Sequence, residues 1–274
     1  MISVVIYVCV IFLIFAAVVA FNRLSDRAAA DARERGKQIA DKIVGDACHA
    51  VFENVQCDPD GCIDQEKFDR ADIPFFIDLP ELETCDRSND IRGGAYHIRA
   101  SYRGMPVELC DLNRWMAALT DGSEKRLKSR TERKYFDGQW LIADLGTEFP
   151  CDVRIVPSTR ELRKQLRKKK LRIEDEAFDD QFVVTADDPG KAFQVLTPWR
   201  MKRILQAAKE ADRQLSFAFL RDGTLHIAAN SAMPFFGAGP HPNTAEEFQA
   251  CIEKRLHWFA GLAEDLRAEK PQSA

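Results

Sequence analysis

Read for hydrophobic and polar positions, the chain opens on an unbroken apolar run, Ile2 to Phe21, with no charged side chain. At about 1.5 Å rise per residue, some twenty residues cover the ~30 Å hydrocarbon core of a bilayer. The run predicts one transmembrane helix over residues 1–21. A cleaved signal peptide is the competing reading, since Val18 and Ala20 suit the small positions before a cleavage site. Against it, no Lys or Arg precedes the run, which is also longer than the ~7–15 apolar residues of a signal core.

Beyond the run the period changes. Ile39, Ile43, Ala47 and Val51 recur every four residues in an Ala-rich, charged background, predicting a juxtamembrane helix over residues 22–56. Residues 57–92 read as an irregular connector holding the turn Asp58-Pro59-Asp60-Gly61, a short helix around Asp64 to Arg70, and Pro74 and Pro80. From 93 to 243 strand patterns dominate. Tyr96, Ile98, Ala100 and Tyr102 alternate with His97, Arg99, Ser101 and Arg103, and Gly104-Met105-Pro106 turns the chain into Val107 to Cys110. His97 and His226 fall on the alternate, solvent-facing positions of their strands. Asp137-Gly138, flanked by Thr131 to Phe136 and Gln139 to Asp144, is a hairpin signal, as is Asp222-Gly223 between Leu215 to Leu220 and Thr224 to Ala229. Cys151 to Val156, Phe182 to Thr185 and Ala192 to Leu196 complete the strand expectations.

Two helix starts are explicit. Thr197-Pro198 places a capping Thr before a first-turn Pro, with Met201, Ile204, Leu205 and Ala208 forming the apolar face. Thr244 and Glu247 form a capping box for an amphipathic helix over 244–270, whose stripe of Phe248, Ile252, Phe259, Leu262 and Leu266 docks on the domain or on a partner. Hairpins joined locally, with helices following strands, indicate an α+β fold with an antiparallel, hairpin-rich sheet and packed helices.

Charge adds orientation. The net charge of −4 over 274 residues implies no acidic or basic partner by itself. Arg23, Arg27, Arg33, Arg35 and Lys37 all follow the apolar run, so the positive-inside rule puts the rest of the chain in the cytoplasm. Outside the run lie Cys48, Cys57, Cys62, Cys85, Cys110, Cys151 and Cys251, an odd set at irregular spacing that suits free thiols in a reducing compartment.

The second half resembles a bacterial family known as domain of unknown function 3137. The resemblance rests on Phe136-Asp137-Gly138-Gln139-Trp140-Leu141-Ile142-Ala143-Asp144 and on Arg172-Ile173-Glu174-Asp175-Glu176-Ala177-Phe178-Asp179-Asp180-Gln181-Phe182-Val183-Val184. Asp187-Asp188, Leu196-Thr197-Pro198, and Leu215-Ser216-Phe217-Ala218-Phe219 with Asp222-Gly223 complete it, over about 90 to 236. It implies a bacterial protein with N-terminal membrane helices and a soluble domain of no established activity, and supplies no catalytic residue. The cysteines and the basic run after Thr159 depart from the family pattern.

That basic run, Arg160, Arg163, Lys164, Arg167, Lys168, Lys169, Lys170 and Arg172, is the sharpest local feature. Anionic headgroups attract each such residue by about 1 kcal/mol near a membrane surface. A solvated connecting helix is the bland alternative. No aromatic interleaves with the basic residues, so nucleic acid fits poorly. Glu174, Asp175, Asp179 and Asp180 are the candidate metal ligands, although no calcium-loop spacing appears and an acidic solvated edge accounts for them equally. Cys57 and Cys62 bracket a turn and could bridge, bind zinc with Cys85 or Cys48, or remain inert thiols. Phe235 and Phe236, beside a Gly/Pro turn, either plug the core or mark a partner contact. No nucleophile elbow, phosphate loop or paired-His helix is present, so no cofactor and no catalytic residue is assigned. The reading is a single-pass protein of a bacterial inner membrane carrying a cytoplasmic binding or scaffold module. A protein partner would bind through the Thr244 to Ala274 helix or the Phe235/Phe236 loop. A tethered metal-dependent enzyme and an anionic-lipid-recognising domain are the alternatives.

Overall fold

The computed structural model describes residues 30–74, 91–119, 130–211, 213–230, 236 and 244–267. The apolar run from Ile2 to Phe21 lies outside them, and no helix among the described residues is long and apolar enough to cross a membrane. The chain divides into two units, Met1–Asp46 and Ala47–Ala274. In the first, the described residues are helical from 30 onward, and Ile39 is exposed rather than part of a packing stripe.

The helix (α1) ends at residue 51, short of the expected 56. Glu53–Asp58 is instead a strand, β1, with Asn54 in the left-handed region at φ 54°. Pairing with the neighbouring strand overrides the local helical pattern: Cys57 lies opposite Ile98 and Asp58 opposite His97. The turn after β1 forms as expected, with Gly61 N–H donating to Asp58 O at 3.1 Å, and leads into helix α2, Gln65–Ala71.

The strands that follow are β2 (Ile91–Tyr102), β3 (Met105–Leu119), β4 (Arg130–Asp144), β5 (Val153–Pro157), β6 (Phe182–Ala186), β7 (Gln214–Phe219) and β8 (Thr224–Asn230). The helices are α3 (Arg160–Gln165), α4 (Glu176–Gln181), α5 (Ala192–Val195), α6 (Pro198–Glu210) and α7 (Ala245–Arg267). All eight strands form one sheet in the order β1-β2-β3-β4-β8-β7-β5-β6, and the pairs are antiparallel. The α+β expectation therefore holds.

Two strand expectations do not. Asp137-Gly138 makes no hairpin, because β4 runs straight through it. Gly138 pairs with Leu112 on one side and Asn230 on the other, and the Asn230 side chain accepts the Asp137 N–H at 3.1 Å. A central strand flanked on both edges leaves no room to turn. Ala192 to Leu196 is a single helical turn, α5, closed by Leu196 N–H to Ala192 O at 2.8 Å. Four apolar residues carry too little period to distinguish the two.

Alternation sorts the side chains onto two faces. Cys110, Trp140, Ile142, Ala228, Ala218, Val156 and Val183 point one way, into a buried cluster with Phe68, Ala71 and Ile73 from α2 and its flank, and Leu162 and Leu166 from α3. Phe217, Phe219, Val153 and Ile155 point the other way, toward the α6/α7 side. There α7 buries Phe248, Ile252, Phe259, Leu262 and Leu266, so the expected stripe covers this domain's own sheet. Glu247 N–H donates to Thr244 Oγ1 at 3.1 Å, which is one half of the expected capping box. The Thr197 cap of α6 forms too, but the buried side chains are Arg200, Ile204 and Ala207, a face rotated from the one expected.

Candidate functional site

A cavity of about 360 Å³ opens over the middle of the sheet on the α2 face. Its floor is one cross-strand row, read from the register: Arg99 on β2 opposite Glu108 on β3, Glu108 opposite Ile142 on β4, and Ile142 opposite His226 on β8. Lys67 and Arg70 from α2 form the wall, with Asp144, Asp222 and Thr224 at the far end. At about 4.8 Å per strand, three steps separate Arg99 from His226 by roughly 14 Å.

A bulge makes this row possible. Between Ala95 and Ile98 the β2–β3 register slips, and Tyr96 takes φ 55°. The extra residue reverses the phase of β2, so His97 and Arg99 fall on the cavity side with Glu108 while Ile98 stays in the core. His97 is thereby buried, not solvent-facing, with Nε2 2.6 Å from Glu108 Oε1. Lys67 Nζ donates to the other oxygen, Oε2, at 2.5 Å. Burial pushes the Glu108 carboxyl up, but these two partners outweigh it and hold the group at about 2.

His226 is buried as well, at 2% exposure, against the expectation that it faces water. Its Nδ1 accepts from Trp140 Nε1 at 3.1 Å. That fixes the tautomer: the proton sits on Nε2, and this N–H meets no acceptor among the described residues on the wall of the cavity. Burial drops the His226 pKa from 6.5 to about 4, with nearby Asp222 opposing the drop. The cavity thus holds a neutral imidazole with one committed donor. Asp222 accepts the Thr224 N–H at 3.1 Å and pairs with Arg70 at 2.7 Å, in a turn where Gly223 sits at φ +85°. A Cβ on Gly223 would lie 2.8 Å from Thr147 O, so only glycine fits.

These shifts set an acid limit on stability. A folded-state pKa below the unfolded value means stability that is full above the unfolded value and lost as pH falls through the folded one. For His226 the window runs from 6.5 down to about 4, and for Glu108 from 4.5 down to about 2. Urea unfolding of the full chain against pH should show up to about 3 kcal/mol lost across the His226 window. In His226→Gln that first loss should disappear while the lower one stays; a flat profile in the unsubstituted protein would contradict the buried neutral imidazole.

The residues singled out from sequence lie elsewhere. In the basic run Arg163 is fastened, donating to Asp179 O at 2.7 Å and Asp180 O at 3.1 Å, and Lys170 pairs with Asp179 at 2.8 Å. Arg160, Lys164, Arg167, Lys168, Lys169 and Arg172 are exposed around buried Leu162 and Leu166. Of the acidic set, Asp175 caps α4 by accepting Phe178 N–H at 3.1 Å, Asp179 and Asp180 face these cations, and Glu174 is exposed. Among the described residues no three His, Cys, Asp or Glu side chains are placed to hold a metal ion. Phe236 is buried at 2% exposure, packs 5.0 Å from the Tyr96 ring and donates its N–H to Asp111 Oδ2 at 3.1 Å. Phe235 lies outside the described residues.

The cavity residues carried a signal that sequence reading passed over. Glu108 and His226 each interrupt a strand whose other residues are apolar, Val107 to Cys110 and Leu225 to Ala229. A charge or imidazole in such a strand is either paired or a ligand site.

Residues 134–268 match the model of a family described as protein of unknown function (DUF3137). The match starts and ends later than the resemblance read from motifs, running from β4 to the end of α7. The cavity lies across its boundary: Ile142, Asp144, Asp222, Thr224 and His226 fall within it, whereas Lys67, Arg70, Arg99 and Glu108 fall outside. No curated protein and no solved structure matches the chain.

Proposed function

We propose, from this resemblance to a family without assigned activity, that the chain is a membrane-anchored binding module whose ligand site is the cavity over the sheet centre. The observation that carries the reading is the Nε2–H of His226, a donor with no acceptor among the described residues on a side chain that lines a cavity of about 360 Å³. A ligand acceptor placed there would give this donor a partner, a hydrogen bond worth about 0.5–1.5 kcal/mol net. Arg99 lies at the opposite end of the row with no partner among the described residues, while Lys67 and Arg70 are occupied by Glu108 and Asp222. Ala100, Pro106, Val107 and Ile142 supply an apolar floor between them. The ligand that fits is a small molecule with an apolar body, an acceptor for His226 and a carboxylate or comparable anion for Arg99. In this reading the anchor would be the apolar run Ile2 to Phe21, and the basic residues behind it favour the cytoplasmic face.

The test is nitrogen-detected NMR of the full chain in detergent, titrated with straight-chain mono- and dicarboxylates of graded length. We expect the His226 Nε2 resonance to shift with one chain length preferred, and the shift to vanish in Arg99→Ala. If none of these acids moves the resonance at millimolar concentration, the cavity reading fails.

A further inference from the structure

A second cavity, of about 240 Å³, lies on the α6/α7 side of the sheet, where the end of β2 meets both helices. It shares no lining residue with the cavity over the sheet centre. Tyr102 closes β2, Arg203 and Glu210 stand two turns apart on α6, and Trp258, Gly261 and Leu262 form one stripe of α7.

Tyr102 is 5% exposed, and its hydroxyl has no hydrogen-bond partner among the described residues. The hydroxyl reaches α7 at Gly261, where a Cβ would lie 3.7 Å from it. That is ordinary contact, so packing does not demand glycine, and a helix interior disfavours it relative to alanine. Its effect here is to leave the space in front of the hydroxyl open. Glu210 is also placed against local preference. It is the last residue of α6, where the carbonyl end of a helix repels a carboxylate. Its partners are neutral donors, Gln206 Nε2 at 2.7 Å and Trp258 Nε1 at 3.4 Å, and no cation pairs with it among the described residues. Both arginines of the cavity are committed: Arg103 pairs with Glu264 at 2.9 Å, and Arg203 with Asp265 and, at 2.7 Å, with Gln206. Arg203 Nε has no partner either, but it has no accessible surface and is out of a ligand's reach.

We infer that this cavity is a second binding site, for a small primary alkylammonium ion. Its N–H groups donate to the Glu210 carboxylate and the Tyr102 hydroxyl, and its short alkyl chain lies against Trp258 and Leu262. Three negative charges line the cavity against two positive ones, and after the two ion pairs Glu210 is left over. The partial negative charge at the end of α6 adds to it, and an indole beside the site adds attraction for a cation. An anion would meet Glu210 and the same helix end with no uncommitted guanidinium to receive it. The Tyr102 hydroxyl serves as an acceptor, which an ammonium ion satisfies and a ligand without N–H does not. The inference does not rest on the ligand proposed for the first cavity.

The experiment follows the indole N–H resonances of the full chain in detergent while n-propylammonium or n-butylammonium chloride replaces sodium chloride at constant ionic strength. We expect a saturable millimolar shift of Trp258 Nε1–H, which donates to Glu210, while Trp140 Nε1–H, which donates to His226 at the first cavity, stays put. Glu210→Gln keeps an acceptor for Trp258 and removes the charge; it should weaken binding at least about tenfold. Gly261→Ala favours the helix and narrows the cavity in front of Tyr102, so it should weaken binding with the thermal midpoint unchanged or raised. Tetramethylammonium, a cation without N–H, should bind more weakly than either amine. No saturable shift with either amine, or a shift undiminished in Glu210→Gln, would overturn the site. Equal binding of tetramethylammonium would overturn the assignment of a primary ammonium ion.

Discussion

Trp140→Ala should lower the free energy of unfolding by about 4–5 kcal/mol, the upper end for a buried aromatic with a lost hydrogen bond. Trp140 has no exposed surface and lies at the centre of the α2 face. Its ring meets Phe68 of α2 at 4.5 Å and Phe136 at 5.6 Å. Truncation leaves a cavity beneath α2 and removes the donor that His226 Nδ1 accepts at 3.1 Å. Trp140→Phe separates the two effects, since it keeps most of the volume and loses the N–H; a loss of about 1–2 kcal/mol is expected. Urea denaturation of both variants is the measurement. Less than about 2 kcal/mol for the alanine variant would mean that α2 is held by something other than this ring. The variants also connect packing to the site, because releasing Nδ1 frees the imidazole to change tautomer and withdraws the fixed donor from the cavity.

The second large effect is expected at Arg200, on the opposite face. This guanidinium is 4% exposed, yet it is met by carbonyls at the carboxyl ends of two helices. Nη1 donates to Val195 O at 2.7 Å at the end of α5, and Nε donates to Leu266 O at 3.0 Å at the end of α7. Carbonyls at helix C-termini carry partial negative charge, so they offset the desolvation of a cation. The same group lies 5.1 Å from the Phe149 ring centre and 5.6 Å from that of Phe219, which adds a cation–π contribution. Arg200→Ala should therefore cost about 3–4 kcal/mol, by leaving two buried carbonyls unpaired and a void above Phe219. Arg200→Lys should recover less than half of that, because an ammonium cannot span the two carbonyls as the planar fork does. Equal stability of the lysine variant and the unsubstituted chain would rule out the fork as the fastening element.

Local signals were reliable wherever the chain makes its own structure. Thr197-Pro198 opens α6, Thr244 with Glu247 opens α7, Asp222-Gly223 turns β7 into β8, and Asp58 to Gly61 turns as composition demands. They failed where a neighbouring strand decided the outcome. Asp137-Gly138 has hairpin chemistry, but β3 and β8 bond to both of its edges and stretch it flat. Residues 53 to 56 continue a helical pattern, but β2 recruits them. The cavity was hidden for a similar reason. His97, Glu108 and His226 lie far apart along the chain, and a one-residue bulge after Ala95 determines which side of the sheet receives the first of them.

Taken alone, the residues settled the α+β class, the positions of caps and turns, and which stripe of the last helix is buried, because each depends on side chains within a turn or two of one another. Only the tertiary structure decided strand order, the fate of the basic and acidic runs, and the row from Arg99 to His226. Those depend on register between distant strands, where a shift of one residue exchanges core for cavity.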